Sequence, residues 1–215
     1  VSYRHLVWVD KSARIADSVI LNPFVYIGPE VLIGEESYIG PNVVIIGKTA
    51  IGKRVRIGPG TVIGWTGFGY ERGSGGYQAQ EHNGMVVIED DVEIGPLVAI
   101  ARAKTGRETR IGRGTKIDAL VQIAHNVQIG ANCLITAQCG IAGSAVIDDE
   151  VVVAGQSGIK DHVKIGAGSV IYAKSAVFRS IPPYSHYWGI PARPLRQAQR
   201  FWARLWKAFG QEDDH

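Results

Sequence analysis

The chain has 215 residues, 46% apolar and 8% aromatic, with a formal charge of +3; this composition fits a folded soluble protein and argues against disorder and nucleic-acid binding. Gly is frequent at 27 residues and Met occurs once, so Ile, Val and Ala supply most of the apolar share, which favours strands. Two cysteines are too few for a disulfide framework, VSYRHLVWVD lacks the layout of a secretory signal, and no run reaches the roughly 18 apolar residues of a membrane span, so the expected location is the cytoplasm.

From the N-terminus a large apolar residue recurs every sixth position: Val9, Ile15, Leu21, Ile27, Ile33, Ile39, Ile45, Ile51, Ile57 and Ile63. Four residues after these stand small or β-branched side chains, among them Val25, Val31, Ser37, Val43 and Thr49. Two inward-facing slots per hexad make each repeat a strand plus a turn, the pattern of a solenoid whose units bury their apolar faces only against one another. A period of six keeps no side of a 3.6-residue helix apolar. The glycines that follow many of the large apolar residues, such as Gly28, Gly34 and Gly40, suit a corner that needs either positive φ or close backbone approach.

The series breaks at residues 65–87 (WTGFGYERGSGGYQAQEHNGMVV), resumes at Ile88, Ile94 and Ile100, and breaks again at 101–110 (ARAKTGRETR). A solenoid tolerates insertions as loops leaving its surface, so both segments are expected to wall a site or to cover a neighbouring subunit. From Ile111 the phase runs unbroken to Ile171, with Cys133 and Cys139 in the small inward slot as core fillers. The solenoid is assigned to residues 1–180, and a proline-bounded crossing with an amphipathic helix to 181–215. Pro194 and Gly210 fit the start and stop of that helix, along which Leu195, Ala198, Trp202, Leu205, Trp206 and Phe209 recur at helical spacing beside Arg196, Arg200, Arg204 and Lys207. It either caps the solenoid or packs in an oligomer, or it docks an acidic carrier protein or makes peripheral contact with an anionic membrane.

The repeat resembles that of the hexapeptide-repeat acyltransferases, a resemblance that implies an all-β fold, a left-handed parallel β-helix of about eight coils. In that family three hexads form one coil, so residues eighteen apart stack. His125 then lies one coil from Gly143 and two from the neighbourhood of His162, along one edge of the prism, with about 10 Å of axial distance between the two imidazoles. An imidazole is a natural general base for an amine attacking a thioester, and a glycine N–H can approach the resulting oxyanion. Asp118, seven residues before His125, is either its orienting partner or a solvated corner aspartate. Zinc is disfavoured because His125 and His162 do not converge on one ion; only His82 or a second subunit could supply a further ligand, and no metal is assigned.

Within the family the chain is similar to the UDP-3-O-acylglucosamine N-acyltransferases of lipid A biosynthesis, through GFGY (67–70), VIEDDVEIG (87–95), the ID pair followed by VQIAHNVQIG (117–130), IAGS (141–144) and the hexad of His162. The resemblance implies that His125 is the base, Gly143 the oxyanion donor and His162 a supporting residue. Phe68, Tyr70, Asp118 and Asn126 are expected at the substrate. It further implies a homotrimer with sites between subunits, a sugar or sugar-nucleotide acceptor, no permanently bound cofactor, and acyl carrier protein phosphopantetheine or acyl-CoA as donor. Departures are a chain that begins at the solenoid, without the family's uridine-binding domain; IARAKTGRET in place of a segment of the type IDRGALDDT, which puts Ala101 and Thr105 where acidic residues stand; and Ala119 after the ID aspartate. Alternatives are an acetyl-CoA-dependent sugar acetyltransferase and a non-catalytic trimeric scaffold.

Overall fold

The computed structural model describes residues 6–209. The chain visits three sheets in rotation, of nine, eight and ten strands, and builds the expected left-handed parallel β-helix with a single C-terminal helix. The first face carries Trp8–Val9, Tyr26–Ile27, Val44–Ile45, Val62–Trp65, Ala99–Ala101, Gln122–Ile123, Gly140–Ile141, Gly158–Ile159 and Ala176–Val177. Register is set by the apolar slot: Ile27 pairs with Ile45, Ile123 with Ile141, and Ile141 with Ile159.

Both inward slots are filled as the period dictates. Ile27, Ile45, Ile63, Ile123 and Ile141 are buried, as are Val43, Val55 and Val127 in the smaller slot. Several hydroxyls in that slot are satisfied by the corner carbonyls, as Ser37 donates to Gly52 O at 3.0 Å, Thr61 to Gly95 O at 2.8 Å and Thr115 to Gly130 O at 2.8 Å, whereas the buried Thr49 hydroxyl has no partner among the described residues. A buried hydroxyl that keeps a hydrogen bond is tolerated where an unpaired one would be costly. Cys133 and Cys139 sit in the same slot, buried and free, and burial pushes both thiols above their usual range.

The glycines after the large apolar residues do not provide the left-handed corner. That conformation falls two residues further on, at Glu30, Glu36, Asn42, Asn126, Ser144 and His162, with φ between 57° and 62°. The glycines serve close packing instead: a Cβ on Gly34 would lie 2.7 Å from the Gly52 backbone and one on Gly40 2.7 Å from Ile57 O, each one coil on.

The two insertions leave from the same edge. Residues 65–84 connect Ile63 on the first face to Ile88 on the second, and 102–107 connect Ile100 to Ile111 likewise. The longer insertion contains an antiparallel hairpin, Tyr70–Gly73 with Gly76–Ala79. Beyond the sequence repeat the ladder continues, with His186–Trp188 pairing parallel to Val170–Ile171 and Arg193–Pro194 antiparallel to it. Helix α1 (Leu195–Phe209) starts directly after Pro194, and Ala198 is its one buried residue. Gly210 lies outside the described residues.

Candidate active site

The edge between the first and second faces collects most of the chemistry-bearing residues. His125 lies between Ile123 and Ile129, Gly143 between Ile141 and Ile147, and His162 between Ile159 and Ile165, on three successive coils, with both insertions rising from the coils before them. The stacking of His125 on Gly143 is tight. A Cβ at residue 143 would fall 2.7 Å from His125 Cε1 and 2.8 Å from Nε2, so the absent side chain is the space that the imidazole occupies. The Gly143 carbonyl accepts the His162 N–H at 3.2 Å and the Ser144 N–H donates to His125 O at 3.0 Å. The Gly143 N–H itself has no acceptor among the described residues.

His125 is half-buried. Its Nδ1 is buried without a protein partner among the described residues. Burial first, then the nearby His82 and Lys104, hold its pKa below the ordinary imidazole value, with the Asn126 side chain opposing. The neutral form, the one able to take a proton, is therefore favoured. His82 arrives from the longer insertion, 1% exposed, with its ring centroid 4.8 Å from that of His125 and the rings tilted by 59°. It has no place in the six-residue register, so sequence reasoning raised it only as a remote zinc ligand. No third ligating side chain joins the two imidazoles among the described residues.

Beside the edge runs a groove of about 910 Å³ along the first face, lined mainly by apolar surface. Its outward column on that face runs Trp8, Tyr26, Val44, Val62, Ala99, Gln122, Gly140, Gly158 and Ala176 in register. Bulky side chains at the N-terminal coils thus give way to small ones beside His125 and Gly143. Trp65, Phe68 and Tyr70 of the longer insertion wall this groove, with the Phe68 and Tyr70 rings edge-on at 5.0 Å. Ala124 and Ala142, the residues preceding His125 and Gly143, belong to its lining, so His125 and Gly143 stand at its rim.

Three more expected residues have the following surroundings. Asp118 lies between Ile117 on the third face and Ile123 on the first, at a different edge from His125. Its Oδ1 accepts the Ala119 N–H at 2.7 Å, and within one chain it does not orient His125: seven residues cross a whole face. Asn126 is buried, with its Oδ1 taken by the Lys104 N–H at 2.8 Å and its own N–H donated to Thr109 Oγ1 at 2.9 Å; its amide oxygen anchors the short insertion. His162 is on the right edge but solvent-exposed beside Asp161.

The profile "Bacterial transferase hexapeptide (six repeats)" matches residues 12–47, 30–64 and 108–143. The chain is 42% identical over 160 residues to a UDP-3-O-acylglucosamine N-acyltransferase of Methylorubrum populi, a match covering 73% of this chain and 45% of that one. With the Caulobacter enzyme of the same name it shares 42% over 154 residues, 72% and 45% of the two chains. The chain thus spans less than half the length of these relatives. Among solved structures, the UDP-N-acetylglucosamine acyltransferase of Francisella novicida superposes with a TM-score of 0.81 at 28% identity, covering 91% of this chain and 71% of that one. The O-acyltransferase of Moraxella catarrhalis gives 0.80 at 26%, covering 91% and 76%.

Proposed function

The chain belongs to the bacterial transferase hexapeptide-repeat family, and from that membership we propose that it forms the catalytic solenoid of an acyltransferase that moves an acyl group from a thioester to the amine of an amino sugar. The relatives' printed names supply the acceptor class, UDP-3-O-acylglucosamine or a related sugar. The observation that carries the reading is the seating of the His125 imidazole on Gly143, with a free glycine N–H beside a ring held neutral by burial.

In this reaction the acceptor amine attacks the thioester carbonyl as His125 removes the amine proton, so that the new C–N bond forms while the proton passes to the imidazole. The negative charge on the carbonyl oxygen is met by the Gly143 N–H, a donor that needs no rearrangement. Collapse breaks the C–S bond, and the imidazolium returns its proton to the departing thiolate. The small-residue floor and the aromatic wall of the groove suit an acyl chain, with Phe68 and Tyr70 against the substrate. The donor is acyl carrier protein, through its phosphopantetheine thioester, or acyl-CoA. The assembly is a homotrimer in which a second copy closes the open side of the groove.

Replacing His125 by Ala should lower turnover by roughly 10²- to 10⁴-fold, the usual worth of a general base, with an unchanged melting temperature. The measurement is mass spectrometry of product from UDP-3-O-acylglucosamine and a panel of acyl thioesters. Full activity of His125→Ala would remove the base from the mechanism, and wild-type protein inert towards every donor would favour a non-catalytic scaffold.

A further inference from the structure

His82 is a polar ring buried on an otherwise exposed insertion: its neighbours Glu81 and Asn83 face solvent, and so does the hairpin before it. Its Nδ1 lies 2.9 Å from Gln80 O. A carbonyl only accepts, so Nδ1 carries a proton, and Nε2 is left buried with no partner among the described residues. A phenylalanine would fill this space without that cost. The loop is also shaped around the ring, since a Cβ on Gly67 would meet His82 Nε2 at 2.8 Å and one on Gly69 would meet its Cε1 at 2.9 Å. Both glycines of GFGY are thereby accounted for by the imidazole they enclose.

We propose that His82 is a positioning residue for His125, closing the inner side of its imidazole and fixing which ring nitrogen faces the substrate. The proposal rests on the reading of His125 as the base. His125 is closely packed by its neighbours: a Cβ at residue 143 would fall 2.7 Å from its Cε1, the His82 ring centroid lies 4.8 Å from its own, and a Cβ at residue 67 would fall 2.9 Å from its Cβ. With its Nδ1 buried on the protein side, the ring has Nε2 to offer outward. The same proximity opposes protonation of both rings at once, because two imidazolium charges at this separation repel each other in a partly dry site. Lys104 and His162 act on His125 in the same direction, and Asn126 in the opposite one. Asp161, next to His162 two coils away, is one carboxylate on this edge, and Glu81 stands beside His82 on the insertion.

The test uses the intact chain and two readouts, imidazole NMR titration of His125 and the pH profile of kcat/KM with UDP-3-O-acylglucosamine as acceptor. In His82→Phe, which keeps a ring but removes its nitrogens, the His125 midpoint and the acid limb of the rate should move together to higher pH. There kcat should fall roughly 10- to 100-fold, the scale expected for a misplaced catalytic group, with KM nearly unchanged. His82→Asn, whose amide can still donate to the Gln80 carbonyl, should recover part of kcat. If folded His82→Phe leaves the His125 midpoint and the acid limb where they are in the wild type, the positioning role is wrong. Because the NMR titration needs no turnover, a His82 effect on His125 can be read even if His125→Ala shows that the base has been misassigned.

Discussion

One methyl group separates glycine from alanine, and at residue 143 that methyl would occupy the place of the His125 imidazole. The Gly143→Ala variant should therefore keep its fold, because the displaced ring lies at the surface edge of the solenoid, yet lose roughly 10²-fold in kcat as base and donor move apart. Circular dichroism melting beside steady-state kinetics checks both halves. The electrostatics of His125 have their own signature. Burial, His82 and Lys104 all disfavour its protonated form, and the active form is the neutral one, so the acid limb of kcat/KM should fall below about pH 6.5, the value of an unperturbed imidazole. A limb above that value would contradict the arrangement. His125 and Gly143 were legible in the sequence because both lie on the repeat, where position along the chain converts directly into position on the prism. His82 was not, because an inserted loop has no phase, and of the two readings of Asp118 its place fits the solvated corner, since seven residues cross a face.

Helix α1 has an apolar side carrying Trp202, Trp206 and Phe209, all exposed, and an opposite side carrying Arg196, Arg200, Arg204 and Lys207, with no acidic residue within the helix. Such a pattern suits an acidic protein surface or an anionic bilayer. On the carrier reading, the double variant Arg200→Glu and Arg204→Glu should raise KM for an acyl carrier protein thioester about tenfold while leaving KM for a short acyl-pantetheine donor unchanged. Equal effects on both donors would locate the fault in the site instead, and loss of sedimentation with anionic vesicles alone would favour the lipid surface. No helix among the described residues is long and apolar enough to cross a membrane. The helix itself could be read from its periodicity. The strands were readable from the hexads, but the hairpin within the longer insertion was not, since a Gly-rich segment without alternation gives no pairing signal.

At the scale of the whole molecule, the groove exists because coils stack in register and their outward residues become columns. Ala99 to Ala176 spans four strand spacings, about 19 Å. Gly158 lies on this floor, and a Cβ there would meet nothing within 4 Å. Gly158→Met should thus fold normally and shift donor preference towards shorter acyl chains, measured by competition among thioesters of graded length; unchanged preference would exclude this floor as the acyl site. The sequence by itself determined the solenoid, its two inward slots and the stacking of Gly143 on His125, because a strict period fixes both register and burial. Only the tertiary structure decided that the glycines serve close approach while other residues adopt the left-handed corner, that both insertions rise from the edge of the base, and that His82 packs beside it. Those features depend on how segments without a period fold back onto the coils, where contacts distant in sequence, rather than spacing, set each position.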